Sequence, residues 1–256
     1  CLSSLGDAIS GGAIAGQPDQ TASGGPTAAN LAFGAPVWVL GYAPSGTKSA
    51  LILGDSIDAG ANEDAAFTGD AGGNIGAGTR WLAGKGYNAL NISRATTRAS
   101  HWAAADLSGL LTWLSGISFT AKFCGLGRND YSNGNAASTI ASDVATALAK
   151  LPSTPITVVR DAPPTTSSSD SWATVDNQTR DATQTTPETI RADWNAIVAA
   201  KTVVGQTDAF AFAASCEAIT SGGAPQPGIK VWPASGTTDG VHPTGTINAA
   251  AVTANP

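Results

Sequence analysis

The sequence predicts an α/β fold in which helices cover both faces of a parallel sheet. Three observations predict it. From residue 49 short apolar runs alternate with stretches of helical periodicity, the pattern of βαβ units. Gly, Pro, Ser and Asn clusters separate these stretches, as turns require. Hydrophobic residues make up 42% of the 256-residue chain, enough for one large core.

The elements follow in order. Residues 1–35 are rich in Gly, Ala, Ser and Thr with little periodicity, and 36–42 is a β-type apolar run ending before a Pro-Ser-Gly turn. Residues 1–47 are therefore read as an irregular or β N-terminal arm, or the end of a preceding domain. Residues 48–256 form the α/β domain. Its first strand covers 50–53 and stops at Gly54. A helix over 79–86 leads to a second strand over 87–92. Trp102, Leu107, Leu110, Leu111 and Leu114 recur at helical spacing and predict one helix over 101–114. The third strand covers 117–124. Ile140, Val144, Ala147 and Leu148 form one stripe of a helix over 136–151, and the fourth strand covers 155–160. A Ser/Thr-rich loop over 161–186 is long enough to be functional. Thr186 and Pro187 then read as N-cap and first residue of a helix reaching Lys201. The fifth strand covers 209–213. A Gly/Pro-rich loop over 221–236 precedes a short terminal helix after Pro243. In such a sheet, ligands bind beyond the carboxyl ends of the strands.

Composition excludes several functions. The formal net charge is −6, and the six lysines lie far apart. Nucleic-acid binding through phosphate neutralisation needs a basic cluster, so no nucleic-acid partner is expected. No apolar run approaches about 18 residues, so no membrane-spanning helix is expected. The three cysteines, Cys1, Cys124 and Cys216, show no metal-binding spacing, and whether Cys124 and Cys216 pair is left open. No Gly-rich turn carries the Lys of a phosphate loop, so no cofactor and no metal are expected. Few lysines, no Met and abundant small residues suit a secreted, extracellular or virion-associated protein. No intact secretory signal is visible, so the chain is expected to be processed or a piece of something longer.

Three segments after the strands carry chemistry: Gly54-Asp55-Ser56-Ile57, Gly127-Arg128-Asn129-Asp130 and Asp239-Gly240-Val241-His242-Pro243. A serine hydroxyl attacks only when a neighbouring base takes its proton. His101 and His242 are the two histidines. His242 follows Asp239 by three residues in a turn context, where the carboxylate can hold the imidazole in one tautomer. Acyl transfer also needs donors for an oxyanion, and Asn129 carries an amide. Nucleophile, base, orienter and oxyanion donor are thus all present. Asp55 and Asp130 read as turn-stabilising carboxylates. His101 reads as a residue at the start of a helix, without a catalytic role. Arg94 and Arg128 adjoin the candidate oxyanion donors and read as binders of an anionic substrate or as surface charges. Trp172 and Trp232 fall in long loops and read as platforms for a sugar ring or as loop anchors. Trp102, Trp113 and Trp194 read as core.

As a set, the three segments resemble the SGNH hydrolase family, also called GDSL esterases and lipases. The resemblance covers roughly residues 48–250. It implies a three-layer α/β/α sandwich, flavodoxin-like, with a five-stranded parallel sheet. It implies Ser56 as nucleophile, His242 as base and Asp239 as orienter. Asn129 and the Ser56 N–H would line the oxyanion hole. The family also places a Gly after the second strand. Here the matching position is Ala95 or Thr96, whose N–H survives without the φ freedom of Gly.

The expected activity is hydrolysis of short-chain acyl esters, with O-acetyl groups on a carbohydrate as first choice. A lipase would need an apolar acyl groove, and the loops offer few Leu, Ile or Phe. The alternative is a binding or structural module of a phage tail or other surface assembly, with a weak or inactive site.

Overall fold

The computed structural model describes residues 46–61, 75–180 and 185–256. The expected arm, with its run over 36–42, lies almost wholly outside the described residues. The main sheet has five parallel strands: β1 (Lys48–Leu53), β2 (Tyr87–Asn91), β3 (Ala121–Cys124), β4 (Ile156–Arg160) and β7 (Asp208–Phe210). Their order is β2-β1-β3-β4-β7. Helices cover both faces: α1 (Ala77–Gly84), α2 (Ala99–Ala104), α3 (Ser108–Leu114), α4 (Arg128–Ser132), α5 (Ala137–Lys150), α6 (Thr185–Ala199), α7 (Ala213–Cys216) and α8 (Gly245–Ala254). Two small hairpins, β5 (Ser167–Ser168) with β6 (Gln178–Thr179) and β8 (Ala218–Ile219) with β9 (Lys230–Val231), lie within the long loops. The expected three-layer α/β/α sandwich is thus the observed architecture.

The pleat divides the core in two. Leu51 and Leu53 point to one face, where they join Ile140, Val144, Leu148, Val159, Trp194 and Val198. Ala50 and Ile52 point to the other, with Trp81, Phe123, Val158, Phe210, Phe212 and Trp232. Complete burial of each large aliphatic side chain contributes about 1.5–3 kcal/mol. Cys124 and Cys216 belong to opposite faces and are free thiols. Burial pushes Cys124 up to about 12 and Cys216 well above its ordinary value, so both are held as unreactive thiols.

Several elements differ from expectation, among them the third strand, which covers only Ala121–Cys124. The single helix expected over 101–114 is two helices, α2 and α3. Ala105 is extended (ψ 143°), and the Asp106 carboxylate accepts the N–H of Ser108 at 2.9 Å, starting a new helix. The fifth strand is shorter than expected, because α7 begins at Ala213. Helix α6 begins at Thr185, one residue before the expected cap Thr186.

The strand order places the site. The chain leaves β1 for β2 on one side, then returns across β1 to β3 on the other. At such a reversal the loops after adjacent strands lead to opposite sides of the sheet, which is where open α/β sheets bind ligands. Ser56 follows β1 and Asn129 follows β3.

Candidate active site

Ser56 lies in the turn after β1 and is 8% exposed. Asp55 Oδ1 accepts the N–H of Ile57 at 2.9 Å, the turn-stabilising role expected of it. His242 reaches this turn from the far end of the chain. Its Nε2 lies 2.8 Å from Ser56 Oγ. Its Nδ1 lies 2.6 Å from Asp239 Oδ2. A carboxylate only accepts, so Nδ1 carries the proton and Nε2 is left to accept from the serine hydroxyl.

Asp239 is held in that role by its backbone. Its Oδ1 accepts the N–H groups of Val241 at 2.9 Å and His242 at 2.8 Å. Burial pushes its carboxyl up, but hydrogen bonds from the His242 ring and backbone outweigh this and hold it below its ordinary 3.8. The turn itself requires Gly240, whose φ is 75°. A Cβ there would lie 1.8 Å from the Thr166 carbonyl oxygen and 2.8 Å from the Trp172 ring. The Gly240 carbonyl accepts from Thr166 N–H at 3.1 Å and from Trp232 Nε1 at 2.9 Å.

Trp232 is therefore not a platform for a sugar. It is completely buried, with its indole spent on Gly240 and its ring in the core. A loop tryptophan has become the floor under the histidine turn. Gln178, also buried, secures it: the side-chain oxygen accepts from Trp232 N at 3.1 Å and Thr166 Oγ1 at 3.0 Å, and the amide donates to Trp232 O at 2.7 Å. Trp172 is half-buried beside Gly240, and its Nε1 donates to Thr166 Oγ1 at 3.0 Å.

Asn129 is the second residue of helix α4. Its Nδ2 donates to the Thr97 carbonyl at 2.9 Å, and its second N–H makes no hydrogen bond among the described residues. The N–H groups of Ser56, Ala95 and Thr96 make no hydrogen bond among the described residues. Asp130 is buried, and its Oδ2 accepts the N–H of Ala99 at 2.9 Å, capping α2. Burial pushes its carboxyl upward. His101 is exposed on α2 and pairs with Arg98 at 2.9 Å. Arg94 is exposed, and its backbone N–H donates to Gly54 O at 3.1 Å. Arg128 is directed elsewhere than at solvent: Nη1 donates to Asn129 Oδ1 at 3.0 Å and Nη2 to Thr165 Oγ1 at 3.2 Å.

No protein-family model matches the sequence, and no curated protein matches it. Solved structures do. A carbohydrate acetylesterase family member from Sinorhizobium meliloti aligns with a TM-score of 0.51 at 14% identity, over 80% of this chain and 94% of its own. The aryl esterase of M. smegmatis aligns with a TM-score of 0.51 at 16% identity, over 81% and 96%. A possible lipase from Chitinophaga pinensis aligns with a TM-score of 0.51 at 15% identity, over 81% and 95%. The chain shares its three-layer α/β/α fold with these structures.

The loop after β2 closes in a tight turn. Thr97 N–H donates to Arg94 O at 3.3 Å and closes a turn in which Thr96 has φ 64°. A threonine thus adopts the left-handed conformation that a glycine takes without strain, at a cost of about 1–3 kcal/mol. The loss of φ freedom expected here is met by strain. Thr97 Oγ1 anchors the turn on Arg94 O at 2.6 Å and Gly54 O at 3.1 Å.

Three residues of this candidate site went unread in the sequence. Asp58 and Arg160 are both fully buried beneath the serine turn, 3.0 Å apart. Arg160 Nη2 also donates to the Gly125 carbonyl at 2.6 Å and lies 3.5 Å from Asp55 Oδ1. Asn91, at the end of β2, donates to Asp58 O at 2.8 Å. The available signals were a cation closing the apolar strand β4 and an acid two residues beyond the candidate nucleophile. Among the described residues, no group of three His, Cys, Asp or Glu side chains stands close enough to hold a metal ion. No helix among them is long and apolar enough to cross a membrane.

Proposed function

We propose that the chain is a serine hydrolase of carboxylic esters, with Ser56 as nucleophile, His242 as base and Asp239 as the residue that orients it. The observation that carries this reading is the line Ser56 Oγ, His242 Nε2, His242 Nδ1, Asp239 Oδ2, with contacts of 2.8 and 2.6 Å. Ser56 Oγ attacks the acyl carbonyl carbon as its proton passes to His242 Nε2. The oxyanion forms against Asn129 Nδ2–H and the Ser56 N–H, with the Ala95 and Thr96 N–H groups as further donors. His242 returns the proton to the leaving alkoxide. It then takes a proton from water as the water oxygen attacks the acyl carbonyl, and passes that proton to Ser56 Oγ as the acid leaves.

The substrate is a short acyl ester, and the preferred one is an O-acetyl group on a carbohydrate. The rim supports this. The loop over 161–180 is rich in Ser and Thr and bears the half-buried Trp172. Arg94 adds an exposed cation. One structural neighbour is a carbohydrate acetylesterase family member. The test compares p-nitrophenyl acetate, butyrate and octanoate with an O-acetylated polysaccharide. The reading expects turnover to fall with acyl length and acetate to be released from the polysaccharide. A preference for octanoate contradicts it in favour of a lipase.

A further inference from the structure

Arg128 stands where a substrate-binding cation was expected, yet its guanidinium is engaged within the protein. Nη1 donates to Asn129 Oδ1 at 3.0 Å and Nη2 to Thr165 Oγ1 at 3.2 Å. Thr165 Oγ1 in turn shares a hydrogen bond of 2.9 Å with Tyr131 OH, which lies 2.9 Å from Pro163 O. The guanidinium is thus braced from the loop after β4. Its Nε is buried without an acceptor among the described residues. Among the described residues no carboxylate lies within 4.0 Å of it, whereas Arg160, Arg180 and Arg191 pair with acids.

We propose that Arg128 is a positioning residue that fixes and polarises the Asn129 amide as an oxyanion donor. The assignment rests on the serine-hydrolase reading. The amide is clamped at both ends, by Arg128 on Oδ1 and by the Thr97 carbonyl on Nδ2 at 2.9 Å. A flipped amide would set NH2 against the guanidinium N–H groups and Oδ1 against a carbonyl, so only one orientation is satisfied. The free Nδ2–H therefore has a fixed direction before substrate arrives. A cation on the amide oxygen also draws electron density from nitrogen and strengthens that N–H as a donor. This help grows as charge develops on the substrate oxygen, so it acts on the transition state more than on the bound ester.

The experiment is a double-mutant cycle in the full chain, with Arg128→Met, Asn129→Ala and the pair, read as kcat and KM on p-nitrophenyl acetate. Removing a direct oxyanion donor costs on the order of 100-fold in kcat, and losing its support is expected to cost about tenfold. KM should stay within about twofold, since the ground state is little affected. In the Asn129→Ala background, Arg128→Met should cost nothing further. Additive losses, or an Arg128→Met enzyme with unchanged kcat, overturn the assignment while leaving the hydrolase reading intact. No Ser56-dependent turnover in the wild type overturns both. If Arg128→Met does not fold, Arg128→Gln, which keeps an amide donor without the charge, carries the same expectation and the same disproof.

Discussion

Arg160 Nη2 lies 3.0 Å from Asp58 Oδ2 in a space closed to solvent, 1% and 0% exposed, directly beneath the turn that carries Ser56. The same nitrogen bonds the Gly125 carbonyl, so one guanidinium joins the loops after β1 and β3 to the end of β4. Close approach makes this possible. A Cβ on Gly54 or Gly125 would fall within 2.3 or 1.7 Å of the Asp58 carboxylate. Burial works against the Arg160 cation, but the charges of Asp58 and Asp55 outweigh it and hold its pKa above the ordinary value. Arg160→Met should therefore destabilise the protein by about 3–5 kcal/mol, because it strands buried carboxylates without a cation. Adding Asp58→Asn to Arg160→Met should recover part of that loss. Urea unfolding monitored by tryptophan fluorescence measures both, and a second substitution that deepens the loss contradicts the account.

Burial raises the Asp58 carboxyl from 3.8 to about 6 despite Arg160. The sign follows from linkage. The folded state holds a proton that the unfolded state releases, so this contribution to stability is full below about pH 4 and is lost as pH rises through about 6. Asp161 is raised to about 6 by its own burial and acts in the same direction. Asp58→Asn should flatten the fall in stability between pH 4 and 6 without abolishing it. Thermal unfolding across that interval tests this, and an unchanged slope would show that Asp58 is not a source of it.

Thr96 with φ 64° carries strain that a glycine would not. Thr→Gly normally destabilises through the entropy of the unfolded chain. Here the relieved strain, about 1–3 kcal/mol, offsets that loss. Thr96→Gly is expected to match or exceed the wild type in thermal stability. A lowered midpoint would mean that the turn is not strained.

Gly240→Ala meets both a left-handed φ of 75° and the Thr166 carbonyl 1.8 Å from the new Cβ. The turn must shift, and His242 with it. A misplacement near 1 Å at a reacting group can cost on the order of 100-fold in rate. Steady-state kinetics on p-nitrophenyl acetate should show kcat reduced to that extent. Wild-type kcat would show that the turn absorbs the methyl without moving the imidazole.

Much of the site was legible because its signals are local. A strand end followed by Gly54-Asp55-Ser56, an Asp239 three residues before His242, and Asn129 after β3 are each written within a few residues. The turn role of Asp55 was readable for the same reason, since a short carboxylate bonds a neighbouring N–H group; Asp130, read the same way, instead caps α2 from 31 positions away. Asp58 and Arg160 were not legible, because they meet across 102 positions only once the sheet is assembled. Trp232 misled because sequence marks a loop residue without showing what the loop packs upon. The break between α2 and α3 was written in Asp106-x-Ser108, but hydrophobic spacing alone carried straight through it.

The central claim is that Ser56 is an activated nucleophile. The most direct test treats the full chain with a fluorophosphonate and locates the adduct by mass spectrometry of the peptide carrying residue 56. The account predicts one covalent adduct on Ser56, lost in Ser56→Ala and strongly slowed in His242→Ala. Folded wild-type protein that stays unmodified, or that is labelled equally in Ser56→Ala, would contradict it.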